Sequence, residues 1–248
     1  QKRIPADDRN RIPLAMRCLL VEAPDALVLI DTGAGNKDDE KFREIYGIEN
    51  EGSPTRLEDA IRHAGHDPAD VDVLISTHLH FDHAGGNTLK EPDGRIRPAF
   101  PQARHVVQRR EFEFAHTQNE RIRASYLADN YQPIHEAGLW TFVDGATEVL
   151  PGIEVFPTPG HTPHHQSVLV RSGGEAACFL ADVMPTSAHL PLPWIMGYDL
   201  EPLVTLESKR GLLARAREED WLLVFEHDPV MAWGRLDPES DRPRLRDA

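Results

Sequence analysis

Residues 76–87 read STHLHFDHAGGN, so His78, His80, Asp82 and His83 fall within six positions. Neutral imidazole nitrogen and carboxylate oxygen are the donors that zinc and other first-row divalent ions take. The cluster directly follows the apolar run 71–75. On extended chain, side chains two apart share a face, so His78 and His80 can grip one ion at roughly 2.0–2.1 Å. Asp82 and His83 lie past the strand end and are free to face a second ion. Gly85 and Gly86 read as a tight backbone turn beneath them.

Three more segments repeat the theme of an apolar strand running into a donor. Thr158-Pro159-Gly160-His161-Thr162-Pro163-His164-His165 follows the run 153–156, with His161 fixed between Gly and Thr-Pro. His164 and His165 offer further nitrogens, either as ligands or as hydrogen-bond partners of ligands. Asp182 ends the run 176–181, and His227 follows the run 221–225. An acid at the end of a buried strand is seldom there for packing. Asp31, in Asp31-Thr32-Gly33, closes an earlier strand in the same way. No Ser/His/Asp or Cys/His arrangement competes as a nucleophile system.

Composition narrows the partners. The 248 residues carry 41 acids against 27 bases, a formal charge of −14, so a phosphate backbone is repelled and nucleic acid is not an expected partner. With 40% hydrophobic and 27% charged residues the chain reads as globular. No apolar run approaches the ~20 residues of a membrane span, so no membrane partner is expected. Cys18 and Cys178 sit in apolar runs and read as reduced, buried thiols. A small-molecule substrate, a possible homodimer and a cytoplasmic location are the remaining expectations.

The elements that must hold these donors read as a mixed α/β chain of one domain spanning 1–248, with 1–13 an irregular lead-in. Strands are expected at 17–22, 27–31, 71–76, 105–108, 140–143, 147–150, 153–157, 167–171, 176–181 and 221–225. Helices are expected from an N-cap at Ser53 with Pro54 to Ala64, then at 109–116, 120–130 and 203–217. Residues 87–104 read as a loop. The pattern does not read as a run of βαβ units.

The order H-x-H-x-D-H, G-H-T-P, strand-terminal Asp and late His, preceded by Asp31-Thr32-Gly33, resembles the metallo-β-lactamase superfamily. The resemblance extends from about residue 17 to about residue 235. It implies a four-layer αββα sandwich and two metal ions. One ion would be held by His78, His80 and His161, the other by Asp82, His83 and His227. Asp182 would serve both, and Asp31 would orient the ligand loop from outside, as partners of metal-bound imidazoles do. Zinc is the default metal, with iron, manganese and cobalt open. Water shared by two such ions ionises near neutral pH, which makes hydroxide the expected nucleophile. Asp82, beside it, is the expected catalytic proton carrier.

Within the superfamily, β-lactam-cleaving members typically lack the acid at Asp182, so an antibiotic substrate is disfavoured. "STHLHFDHAGGN" and "TPGHTPHHQS" look like the acyl-homoserine lactonase-like, quorum-quenching branch, which implies opening of lactones or cleavage of related esters. Organophosphate or aryl-ester hydrolysis is the alternative. A glyoxalase II-type thioesterase is weaker, because about 20 residues follow His227. A non-hydrolytic redox or metal-binding member is weaker still: the redox members need an acid where His80 stands. Two positions depart from the lactonase pattern. Pro185 stands where those enzymes carry tyrosine, three residues after the bridging acid, and His164 stands where glycine is usual. Tyr198 is a candidate to stand in for that tyrosine, and Trp194 and His189 are further candidates to line the substrate pocket.

Overall fold

The apolar alternation of the sequence resolves into sheets that belong to separate units. The structure is a computed structural model describing residues 4–49 and 56–246, and it divides into Cys18–Val143 and a second unit made of Gln1–Arg17 with Asp144–Ala248.

The 18–143 unit begins with β1 (Leu19–Ala23) and β2 (Ala26–Ile30), an antiparallel hairpin around Pro24 and Asp25. The chain continues through α1 (Glu40–Tyr46), α2 (Leu57–His63), β3 (Val71–Ile75), α3 (Phe81–Ala84), β4 (Thr88–Lys90), β5 (Ile96–Pro98), β6 (Arg104–Gln108), α4 (Arg109–Ala115), α5 (Gln132–Glu136) and β7 (Trp140–Val143). The main sheet has the order β1-β2-β3-β6-β7. From β2 to β7 every pairing in it is parallel. This corrects the expectation against βαβ-type connections. Parallel strands covered on both faces read as continuous apolar runs, and Val71-Asp72-Val73-Leu74-Ile75 is such a run. Leu27, Leu29, Ile61, Val71, Leu74 and Phe100 form one buried cluster, and each fully buried side chain of this kind contributes about 1.5–3 kcal/mol.

Several local expectations change. Residues 87–104 contain the β4–β5 hairpin, and α1 and α5 add helices the periodicity did not show. Asp39 caps α1 by accepting the Phe42 N–H at 2.7 Å, and Gly47 ends it at φ +67°. The Ser53–Pro54 start of the next helix lies outside the described residues; α2 itself runs Leu57–His63. Residues 120–130 are not a helix. Ile122 and Tyr126 are buried at helical spacing, but the backbone around them forms isolated turns. One of its carbonyls is used elsewhere, Ser125 accepting from the Phe81 N–H, while the Tyr126 side chain is held by donating its hydroxyl to Glu111.

The second unit contains β8 (Thr147–Leu150), β9 (Ile153–Pro157), β10 (Gln166–Ser172), β11 (Glu175–Phe179), α6 (Pro202–Glu218), β12 (Leu222–Val224) and β13 (Trp233–Arg235). Its sheet order is β13-β12-β11-β10-β9-β8, antiparallel except for β11 against β12, which α6 connects. Pro202 occupies the first turn of α6, where its missing N–H costs nothing. Leu212, Leu213 and Ala216 of α6 pack on Phe156, Leu169, Cys178, Leu223 and Trp221. Burial raises the Cys178 thiol pKa, so it stays protonated and packs as a hydrophobe.

Candidate metal centre

In the 18–143 unit, His78 follows β3, and His80 is the extended residue that opens α3, the short helix carrying Asp82 and His83. His78 and His83 are fully buried, with ring centroids 4.0 Å apart; His78 and His80 rings are 4.5 Å apart. Asp82 keeps 26% of its side chain exposed, and its carboxylate lies 3.9 Å from His83 Nε2.

Asp31 organises this cluster. It adopts φ +55° at the end of β2, an uncommon conformation that a short polar side chain tolerates. Its carboxylate accepts the Thr77 N–H at 2.8 Å, the Thr77 hydroxyl at 2.7 Å and the His83 Nδ1–H at 3.0 Å. The Thr77 oxygen in turn lies 3.1 Å from His78 Nδ1. With Nδ1 of both imidazoles engaged as donor, Nε2 is the nitrogen each presents to an ion. Glu111, fully buried, accepts the Leu79 N–H and the Tyr126 hydroxyl, and the Tyr126 ring packs 4.7 Å from that of His80.

The glycines beneath the loop act through absence of bulk. Gly85 has helical φ and ψ, not a turn conformation that only glycine reaches. A Cβ there would sit 2.2 Å from the Ala34 oxygen, and one on Gly86 would sit 2.4 Å from the Thr32 oxygen. The 32–34 and 85–86 backbones therefore touch, which brings Asp31 within reach of His83. Lys37 donates to the Gly85 and Thr88 carbonyls from a site whose burial lowers its pKa to about 8.

In the second unit, His161 follows β9, Asp182 follows β11, and His227 follows β12. The Asp182 carboxylate spans the two imidazoles: one oxygen lies 3.0 Å from His161 Nε2, the other 3.1 Å from His227 Nε2. Donor atoms that share one ion at roughly 2.0–2.1 Å stand about 3 Å from each other, so this spacing is compatible with a shared ion as well as with hydrogen bonds to the two imidazoles. All three side chains are at least 95% buried.

Each is held from behind. His161 Nδ1–H donates to Asp199 at 2.9 Å, and the Thr205 hydroxyl donates to the other Asp199 oxygen at 2.7 Å. Gly160, at φ +133°, leaves room for α6: a Cβ would lie 2.2 Å from Thr205 N. His227 Nδ1–H donates to the Ala15 carbonyl at 2.6 Å. Arg17 ties down the same loop through the Phe225 and Asp228 carbonyls. His165 is not placed as a ligand here; its Nε2 accepts the Asp182 N–H at 3.1 Å while its Nδ1 meets Thr158 Oγ1. Ala181, at φ +46°, sets Asp182 off the strand.

The donor set fits a cation. Burial alone would disfavour a charged His161, yet the carboxylates of Asp182 and Asp199 lift its pKa to about 9. The site calls for positive charge between carboxylates, which a divalent ion supplies. His78, His80, Asp82, His83, His161, Asp182 and His227 all rank among the described residues able to offer a metal a ligand atom.

Of the pocket candidates, Tyr198 and Trp194 are about half exposed, with the Tyr198 ring edge-on to His161 at 6.2 Å. His189 turns to Thr186, 2.8 Å away, and burial lowers its pKa. Pro185 is buried and its carbonyl accepts the His227 N–H. Sequence reasoning did not find Asp199, Glu111, Thr77 or the Ala15 carbonyl. Asp199 adjoins Tyr198, but nothing in its neighbours points to His161. Also unforeseen is the aromatic group of Phe42, Tyr46 and Phe81, whose rings lie 4.6–4.9 Å apart beside Asp82.

Comparison with known proteins shows the family. Residues 13–227 match the Metallo-beta-lactamase superfamily. An N-acyl homoserine lactonase of Bacillus sp is 30% identical over 228 residues, covering 88% of this chain and 82% of the relative. A probable metal-dependent hydrolase from Staphylococcus aureus shares 26% identity at a TM-score of 0.87, over 99% of this chain and 87% of that one. An N-acyl homoserine lactone hydrolase, solved with the product N-hexanoyl-L-homoserine at its catalytic metal centre, shares 27% identity at a TM-score of 0.68, over 87% and 82%. With a family model matched over most of its length and relatives alike in sequence and fold, the chain belongs to the metallo-β-lactamase superfamily and is a metal-dependent hydrolase.

Proposed function

We propose that this hydrolase opens the ring of N-acyl homoserine lactones or closely related lactones and esters, using two zinc ions. The reading assigns His78, His80 and His161 to one ion and Asp82, His83 and His227 to the other, with Asp182 serving both. The observation that carries it is the Asp182 carboxylate with one imidazole Nε2 about 3 Å from each oxygen. The similarity to N-acyl homoserine lactonases supports the lactone among the bonds such a centre hydrolyses.

When bound, the ions supply an ionised water near neutral pH and polarise the ester carbonyl. The remaining work falls to the chain. Asp31 and Asp199 hold His83 and His161 by Nδ1, so the rings do not rotate as charge changes. Asp82, partly exposed, holds the proton that the leaving alkoxide must receive when the ring C–O bond breaks. Tyr46 keeps its phenolic proton, since burial and then the Asp82 charge raise its pKa, and it remains a donor beside that carboxylate. In the second unit, the half-exposed Trp194 offers an apolar face that suits an acyl chain.

The test is hydrolysis of a homoserine lactone series by zinc-loaded protein, with Asp82→Asn as control. Ring opening that Asp82→Asn abolishes while zinc stays bound supports the reading. Full zinc with no ring opening, and turnover of aryl esters or phosphotriesters instead, overturns it.

A further inference from the structure

Lys209 is a lysine with no exposure at all, in the middle of α6. Its ammonium donates to three carbonyls of one short segment: Pro191 at 3.0 Å, Leu192 at 3.2 Å and Trp194 at 2.7 Å. A buried ammonium is costly unless all its protons are used, and here all three are. Burial nonetheless lowers its pKa to about 8, with Asp199 opposing. A methionine would fill the same volume without that cost, so packing alone does not account for a lysine here.

The segment it holds has no regular structure of its own. Between Leu190 and Asp199 the chain makes turns, stiffened by Pro191 and Pro193. Its far end is tied to the metal site: Asp199 accepts from His161 and from Thr205. Thr205 and Lys209 are four residues apart and therefore on one face of α6. One helix face thus anchors both ends of the 191–199 segment. Between those anchors the segment exposes Trp194 and Tyr198, the latter against the His161 ring.

We propose that Lys209 is a positioning residue that fixes the 191–198 segment as an acyl-binding wall beside His161, and so sets the preference for acyl-chain length. The class of ligand rests on the lactone reading above; the anchoring does not. An ester or lactone held near His161 would bring its acyl substituent to the segment that carries Tyr198, where Trp194 is the other exposed aromatic side chain. A loose segment offers that chain no preformed surface, and the ordering cost is taken from binding.

The experiment uses the full zinc-loaded chain with Lys209→Met, Lys209→Arg and Trp194→Ala. The first readout needs no substrate: the rate of chymotryptic cleavage at Trp194 and Tyr198. It should rise about tenfold or more in Lys209→Met, whose zinc content stays that of the parent, and less in Lys209→Arg. The second is the affinity for ring-opened N-acyl-homoserine products from butanoyl to dodecanoyl. In the parent, affinity should rise with chain length; the rise should flatten in Lys209→Met and Trp194→Ala. Parental protection from cleavage in Lys209→Met, or an unchanged dependence on chain length, overturns the proposal. Should Lys209→Met not fold, Lys209→Arg and Trp194→Ala decide: parental chain-length dependence in both overturns it. A parent that binds these products without regard to chain length also overturns it. A parent that binds them by chain length yet opens no lactone removes the lactone reading and leaves the wall.

Discussion

In the 18–143 unit, four candidate metal donors occupy the six positions 78–83, whereas the second unit spreads three candidates from position 161 to 227. The first set is carried by one strand end and one turn of helix, and a single carboxylate, Asp31, reaches two of its imidazoles, His83 directly and His78 through Thr77. The second set has no common carrier. His161, Asp182 and His227 come from three loops, and each needs its own support, from Asp199, His165 and Ala15 respectively. Donors close in sequence share their positioning cost; dispersed donors require the sheet, α6 and the N-terminal arm to be in place before they meet. The second arrangement has more places at which one substitution weakens the site.

The sharpest way to break that contrast is at Asp182, where the imidazoles of His161 and His227 meet one carboxylate. Asp182→Ala should lower activity about a thousandfold or more and reduce bound zinc, read by turnover and metal analysis. Activity within tenfold of the parent at full zinc would show that the dispersed donors do not depend on it.

Acid stability tests the 18–143 unit away from the donors. His105 in β6 is fully buried, its Nε2 3.2 Å from the Phe100 carbonyl, and burial lowers its pKa to about 4. The folded state then binds fewer protons than the unfolded between pH 6.5 and about 4, so stability is lost as pH falls through that window. His105→Phe should spare about 2–3 kcal/mol of the loss between pH 7.5 and 4.5, measured by urea unfolding. An equal acid loss in both proteins would contradict this.

Support from behind sharpens the comparison directly. Asp31→Asn and Asp199→Asn should each cost about 10–100-fold in zinc affinity, with Asp31→Asn nearer the upper end because it serves two imidazoles. Competition with a chelator measures both, and a larger loss in Asp199→Asn would reverse the ranking. The smallest effect belongs to Arg17→Met. It releases the Phe225 and Asp228 carbonyls but leaves the Ala15 bond to His227, so the affinity loss should stay below about tenfold.

The sequence alone determined a good deal: the mixed α/β class, most strand positions, and the residue types able to bind metal. Strands show because a buried β-strand must be apolar over four to seven residues, and ligands show because metal chemistry restricts donor types and His78 and His80 need no tertiary contact to share a face. Tertiary structure alone decided the rest. The parallel pairing of β2, β3, β6 and β7 is a long-range choice that no local pattern encodes. Residues 120–130 carry helical spacing but form turns, with the Ser125 carbonyl accepting from Phe81 N–H and the Tyr126 side chain held by Glu111. Which imidazole nitrogen presents itself to an ion depends on Asp31 and Asp199, 52 and 38 residues from the rings they hold. Lys209 reads in sequence as one more charge on a helix, because only the folded chain brings three carbonyls to its ammonium and makes its burial tolerable.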